Sequence, residues 1–474
     1  MSQTRHTTGL RILGGLMAAA LLSGCSGFGG NASLPVDAPR VIDQERDRDH
    51  RRLVSAFGGE GRAPHLQRLL ADVTNRLVMA TDRPDEAYQV TILNSPVVNA
   101  FALPNGRLYV TRGLLALAND TSELAAVLSH EIAHVTLRHA SQRSELQARS
   151  ALIKRVAENV LNDAEQAAVE QNQARSTLAH FSRAQELEAD QMGVRVLARA
   201  GFDPYGATRF LTALGRSGTG SDATGADRMA SHPSTSERIS LALQAARRAS
   251  APGTGETGRL EYLAAIDGLA YGDDPADGVV KGRRFLHGRL GVAFEAPEGF
   301  TLENTSQAVL GSSADGSRRL LFDAADTPNG QSLEDVLRST WTDTIEPGSL
   351  TTTTLNDLPV ATALSNGKEW TFRLSAIRIG NTTYRLIMAV RSGGGDLEGM
   401  FQRTLQSVRQ VRAEEARQIR PLKLQTVTAR SGDTAQGLAE RMPVDRPLER
   451  FLLLNGLERP GPLKPGERYK IVIE

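Results

Sequence analysis

Two histidines four positions apart, with a glutamate directly after the first, are the residues of this sequence best placed to do chemistry: His130-Glu131-Ile132-Ala133-His134. Side chains four apart on a helix stack on one face, so both imidazoles can reach a single ion. The glutamate between them then projects close enough to take a proton from a water that the ion has acidified. A catalytic zinc site uses three protein ligands and keeps a fourth position open. A distant carboxylate is therefore the missing piece, and Glu186-Leu187-Glu188-Ala189-Asp190 offers candidates on a second helix further along.

The elements that must position these residues are well marked. Asp120 can cap the motif helix, with Glu123 three positions on completing a capping pattern, and Leu124, Val127, Leu128, Ile132 and Val135 form an apolar stripe. Leu66, Leu69, Leu70, Val73 and Leu77 recur at helical spacing on another segment. A small strand-rich patch lies between the two. Tyr88 to Leu93 alternates, and Asn99 to Leu103 and Arg107 to Thr111 flank the turn Pro104-Asn105-Gly106, a hairpin signal. The pattern from Leu53 to Arg248 is otherwise chiefly helical. Arg216 to Asp227 reads as a mobile loop and Ala249 to Gly258 as a linker.

The order H-E-x-x-H and then E-x-x-x-D resembles the HtpX and BepA group of zinc metallopeptidases, peptidase family M48, which includes the CAAX prenyl proteases. Further matches are Asn99-Ala100-Phe101-Ala102-Leu103-Pro104, Tyr109-Val110-Thr111-Arg112-Gly113-Leu114-Leu115, and His232-Pro233 followed by Arg238, which is similar to the group's H-P-x-x-x-x-R element. The resemblance runs from about Arg52 to Ala246. It implies a mostly helical gluzincin domain with a small sheet. In that reading His130, His134 and Glu186 hold Zn2+, one ion per chain, and Glu131 is the general base. Asp190 and Arg238 act behind the ligands, Asp190 by accepting the free N–H of a ligand imidazole. Asn99, Ala100 and Phe101 form the strand to which extended substrate adds. Glu188 competes with Glu186, but its side chain points off the face that Glu186 shares with Asp190. His232 either stabilises the developing oxyanion, occupies the fourth zinc position at rest, or packs near the cleft.

His139 raises a different possibility, since a third histidine after H-E-x-x-H marks the metzincins. Those place it six beyond the second histidine after a glycine turn, whereas His139 follows by five on what reads as continuous helix. It is expected to be a surface or hydrogen-bonded structural residue. His65 and His180 lack any partner pattern and are read the same way.

The whole chain sets the context. Its 474 residues exceed one core, and 55 Lys plus Arg against 54 Asp plus Glu leave no field to gather nucleic acid. Arg5 and Arg11 precede the apolar run Ile12 to Leu22, a secretory signal too short to cross a bilayer as a helix. Leu22-Ser23-Gly24-Cys25 resembles a lipobox, which implies lipidation at Cys25; Ser26 resembles the pattern that sorts Gram-negative lipoproteins to the outer membrane, facing the periplasm. As the only cysteine, Cys25 leaves no intramolecular disulfide. The tail, with Gly432-Asp433-Thr434, Leu454-Asn455-Gly456-Leu457 and Leu463-Lys464-Pro465-Gly466-Glu467, resembles a βααβ LysM module, which implies a peptidoglycan partner.

The fold class expected is therefore multidomain α+β. Residues 1–24 are signal peptide and 25–45 tether; 46–250 form the peptidase domain, 251–277 a linker, 278–412 an α+β accessory domain, and 424–474 the LysM-like module. Helices are expected at Ser332 to Thr344 and Leu397 to Val411. The function implied is an endopeptidase of the cell envelope that cuts misfolded or misassembled proteins. The competing class is a chaperone-like scaffold for outer-membrane assembly with gated proteolysis.

Overall fold

The computed structural model describes residues 41–142, 183–219, 235–305, 307–325, 330–341, 345–391 and 395–474. The signal sequence, Cys25, His180 and His232 lie outside the described residues. Two compact units are present, Met1–His50 and Arg51–Glu474. Helix α1 covers Val41–Ala56.

Helix α2 (Pro64–Met79) starts at a proline, whose fixed φ suits a first helical turn, and buries Leu66, Leu69, Leu70, Val73 and Leu77 along one face. A three-stranded sheet follows. Strands β1 (Gln89–Leu93) and β3 (Arg107–Thr111) pair in parallel, while β2 (Ala100–Ala102) pairs antiparallel with β3 and lies at the edge. Gly106 makes the β2–β3 turn possible. It has φ +80°, and a Cβ there would meet the Ala87 carbonyl at 2.3 Å.

The chain then passes directly into α3 (Arg112–Leu117), capped by Thr111, and α4 (Thr121–Thr136), capped by Asp120. The Asp120 carboxylate accepts from the Glu123 N–H at 2.8 Å, and the Glu123 carboxylate accepts in return from the Asn119 N–H at 2.8 Å. Residues 121–134 of α4 are buried all round, so this helix runs through the core. Around it lie α5 (183–199), α6 (Gly206–Thr219), α7 (Ser236–Ala249) and α8 (Arg259–Ala265). Part of the stretch expected to link domains is packed core. Tyr262, Leu263 and Ile266 are fully buried, and the Tyr262 hydroxyl donates to the Leu115 carbonyl at 2.6 Å.

The next region is sheet-rich. A seven-stranded antiparallel sheet runs in spatial order Thr351–Leu355, Leu358–Asn366, Trp370–Ile379, Thr382–Arg391, Arg318–Ala324, Ala308–Ser313 and Phe300–Asn304, beside a four-stranded one. The expected helix at 332–344 is observed as Leu333–Thr340, capped by Ser332. The other, expected to reach Val411, ends at Ser407, because Arg409 and Gln410 leave it to pair with Ala293 and Val292. Strand pairing wins over the continuing apolar spacing.

The tail runs strand (Leu422–Thr428), helix (Ala435–Ala439), helix (Pro447–Leu454), strand (Arg468–Ile473), with the two strands antiparallel. It does not keep a core to itself. Leu424, Leu438, Phe451, Leu454, Ile471 and Val472 belong to the same apolar cluster as Leu66, Leu115 and Leu128 of the helical domain. No helix among the described residues is long and apolar enough to cross a membrane.

Candidate metal centre

Helices α4 and α5 meet at the motif. Gly193 permits the close approach, since a Cβ there would lie 3.2 Å from both the His130 backbone nitrogen and Ser129 Oγ. This contact carries Glu186 and Asp190 on α5 to the face of α4 that presents His130 and His134. Among the described residues, His130, His134 and Glu186 form a group whose ligand atoms all lie within 4.8 Å of one another.

The separations are those of a coordination sphere. His130 Nε2 lies 3.0 Å from His134 Nε2. Glu186 Oε2 lies 3.4 Å from His130 Nε2, and Oε1 lies 3.5 Å from His134 Nε2. Zinc bonds of about 2.0–2.1 Å in a tetrahedron set neighbouring donors about 3.3 Å apart. Two imidazole nitrogens and one carboxylate, which turns an oxygen to each of them, thus fit zinc in donor type, number and spacing. Glu131 is buried and lines the same cavity as His130, with Asp190, Arg238, Ala100 at the start of β2 and Asn99 just before it.

Behind the donors stands a buried ion network. Asp190 Oδ1 lies 2.9 Å from His130 Nδ1. The Arg238 guanidinium, on α7, grips Asp190 with two hydrogen bonds of 2.7 and 2.8 Å and reaches Glu186 at 3.2 Å. Burial pushes the Asp190 carboxyl up, but the hydrogen bonds from Arg238 and His130 outweigh it and hold the group below the ordinary carboxylate value. Burial likewise lowers the His130 pKa, yet its hydrogen bonds with Asp190 and Glu186 raise it to about 9. The site therefore draws positive charge. A divalent cation must displace that proton, so zinc affinity is expected to climb by about tenfold per pH unit from pH 6 to 8. Competition against a chromophoric chelator measures this, and a flat profile would remove His130 from the ligand set.

The remaining site residues are dispersed more widely. Phe101 turns away from the cavity, with its ring stacked on Tyr109 at 4.9 Å and 5.5 Å from Phe57. Glu188 points away from the donors and lies 3.4 Å from His139. His232 falls outside the described residues.

Residues 64–246 match the model of Peptidase family M48. That segment is an M48 peptidase domain. Among curated proteins, the M48 domain is similar to mitochondrial metalloendopeptidase OMA1 of Arabidopsis thaliana, 36% identical over 156 residues, which cover 33% of this chain and 31% of that protein. It is also similar to the putative beta-barrel assembly-enhancing protease of Vibrio cholerae, 34% identical over 160 residues, and to the beta-barrel assembly-enhancing protease of Escherichia coli, 32% identical over 160 residues; each match covers 32% of this chain and 33% of the relative. The chain thus spans about a third of the length of these relatives.

Sequence reasoning missed one feature of the M48 domain and left another without its partner. Gly193 carried a usable signal, a small residue one turn beyond Asp190 in a helix that had to pack closely. His139 is the hydrogen-bonded, buried one of the two structural roles expected for it, but its partner His134 carried no signal, because α4 stops at Thr136 rather than continuing.

Proposed function

We propose that this chain is a zinc-dependent endopeptidase of the bacterial cell envelope. The single observation that carries the reading is the set of three donors from two helices, 3.0 to 3.5 Å apart, with Glu131 in the same cavity. His130, His134 and Glu186 hold the metal. Bound zinc supplies Lewis acidity, which acidifies water and polarises a carbonyl. Glu131 takes the proton and later delivers it to the leaving amine. Asp190 fixes the His130 ring by accepting at Nδ1, and Arg238 holds Asp190 and Glu186 in register. Ala100, with Asn99 just before it, opens the edge strand β2 beside the cavity, to which an extended polypeptide can add. The cavity wall is apolar, built from Leu114, Val127, Phe210, Leu211 and Leu214, and suits an aliphatic or aromatic substrate side chain next to the cleaved bond.

The lipobox-like Leu22 to Cys25 supports a lipid anchor, and the beta-barrel assembly-enhancing relatives support a role with misassembled envelope proteins. The strand–helix–helix–strand order of the tail, with its Gly432-Asp433-Thr434 turn, supports a LysM-like module and a peptidoglycan partner. The experiment is metal removal and return. Purified chain should cut unfolded casein, lose that activity in a chelator and regain it with stoichiometric zinc. Cleavage that survives complete zinc removal would defeat the proposal.

A further inference from the structure

The two histidine donors are oriented by different devices. His130 meets a carboxylate directly, through Nδ1 and Asp190. For His134 the corresponding partner is another imidazole. Helix α4 ends at Thr136, and Arg138 takes φ +58°, a left-handed conformation that a side-chain-bearing residue adopts only where its surroundings hold it. This turn swings His139 back against the site, where it is 1% exposed. Its Nδ1 lies 2.9 Å from His134 Nδ1. The Gln185 amide, from α5, donates to the His139 carbonyl at 3.1 Å and pins the turn.

The proton positions follow from the geometry. His134 presents Nε2 to the other donors, so its hydrogen sits on Nδ1. In an N···N hydrogen bond one atom donates and the other accepts, so His139 Nδ1 is the acceptor and its own hydrogen sits on Nε2. That Nε2 faces Glu188 Oε2 at 3.4 Å, an oxygen able to receive it. The Glu188 side chain is 61% exposed, so its contribution is a bias towards one His139 tautomer rather than strong binding. We propose that His139, biased by Glu188, is a positioning residue that fixes the His134 ring and tautomer for metal binding. This rests on the reading that His130, His134 and Glu186 hold zinc.

The test is zinc affinity of the full chain, read by competition with a chromophoric chelator, together with the absorption bands of the cobalt-substituted protein. His139→Phe keeps a buried ring and removes the acceptor; it should weaken zinc by about 10- to 100-fold and alter the cobalt bands. His139→Asn places an amide oxygen where Nδ1 stood and should stay within about threefold of the parent. Parent affinity in a folded His139→Phe protein would overturn the proposal, as would equal losses in both variants, which would point to packing alone. Should His139→Phe fail to fold, nitrogen NMR of the zinc-loaded parent decides. A neutral His139 protonated at Nε2 supports the assignment, and one protonated at Nδ1 overturns it. If the parent itself takes up no zinc, the metal-site reading falls and this inference falls with it.

Discussion

Glu131→Gln is expected to keep a full complement of zinc while losing at least about 10²-fold, and up to about 10⁴-fold, of peptide-bond hydrolysis. The carboxylate lies in the cavity beside His130 but outside the group of three donors, so metal retention should not depend on it. The amide has the same shape and can still hold a water by hydrogen bonding, but it cannot take a proton from it. Substrate affinity should therefore change little while turnover collapses. Casein cleavage paired with elemental analysis separates the two effects. Glu186→Ala makes the opposite control, since a chain left with two imidazoles should lose its zinc outright. Stoichiometric zinc in that variant would shift the third ligand to another carboxylate, and undiminished cleavage by Glu131→Gln would remove Glu131 as the base.

How much of this was legible in the sequence depends on range. Helix α4 announced itself because its cap, its apolar stripe and both of its histidines are local, all within the stretch Asp120 to Val135. Glu186 and Asp190 were legible for the same reason, their spacing being that of one helix face. The β2–β3 hairpin was written in Asn105-Gly106. What stayed hidden was set by contacts between distant segments. Apolar periodicity reports that a face is buried but not against what, so Phe451 and Ile471 could not be assigned to the core they share with Leu66. The same gap concealed α8, where Tyr262 and Leu263, with Ile266 just after the helix, are fully buried in a stretch that otherwise reads as linker. Val408 and Val411 continued the apolar spacing of the Leu397–Ser407 helix, and only the pairing of Arg409 with Ala293 ends it. His139 was obscured by two residues of turn, since a helix carried past Arg138 would have placed it elsewhere.

The shared core leads to the second large effect, Lys470→Met, which is expected to destabilise the chain by about 3–5 kcal/mol although the residue lies far from the metal centre in sequence. Lys470, on the last strand, is fully buried, and its ammonium donates to the carbonyls of Ala116, Leu117 and Ala118 at 2.8, 3.3 and 2.7 Å. These are the carbonyls that α3 leaves without helical partners as the chain turns into α4. Asn455 locks the strand in place by accepting from the Lys470 N–H at 2.7 Å and donating to the Lys470 carbonyl at 2.9 Å. Burial pulls the Lys470 pKa down and pushes that of Glu123, in the first turn of α4, up, and the opposite charge of Glu123 works against the fall at Lys470. A group whose desolvation is this costly persists only where its hydrogen bonds offset it. Methionine keeps the apolar stem and removes the donor, leaving the Ala116 and Ala118 carbonyls short of a partner beside the helix that carries His130 and Glu131, while the Leu117 carbonyl keeps only the Asn119 amide at 3.1 Å. Urea unfolding measures the loss, and zinc affinity should fall in the same variant as α4 loosens at its start. A tail that merely tethered a peptidase to the wall would not behave this way: a change below about 1 kcal/mol in a folded Lys470→Met protein would show that the M48 domain stands without it.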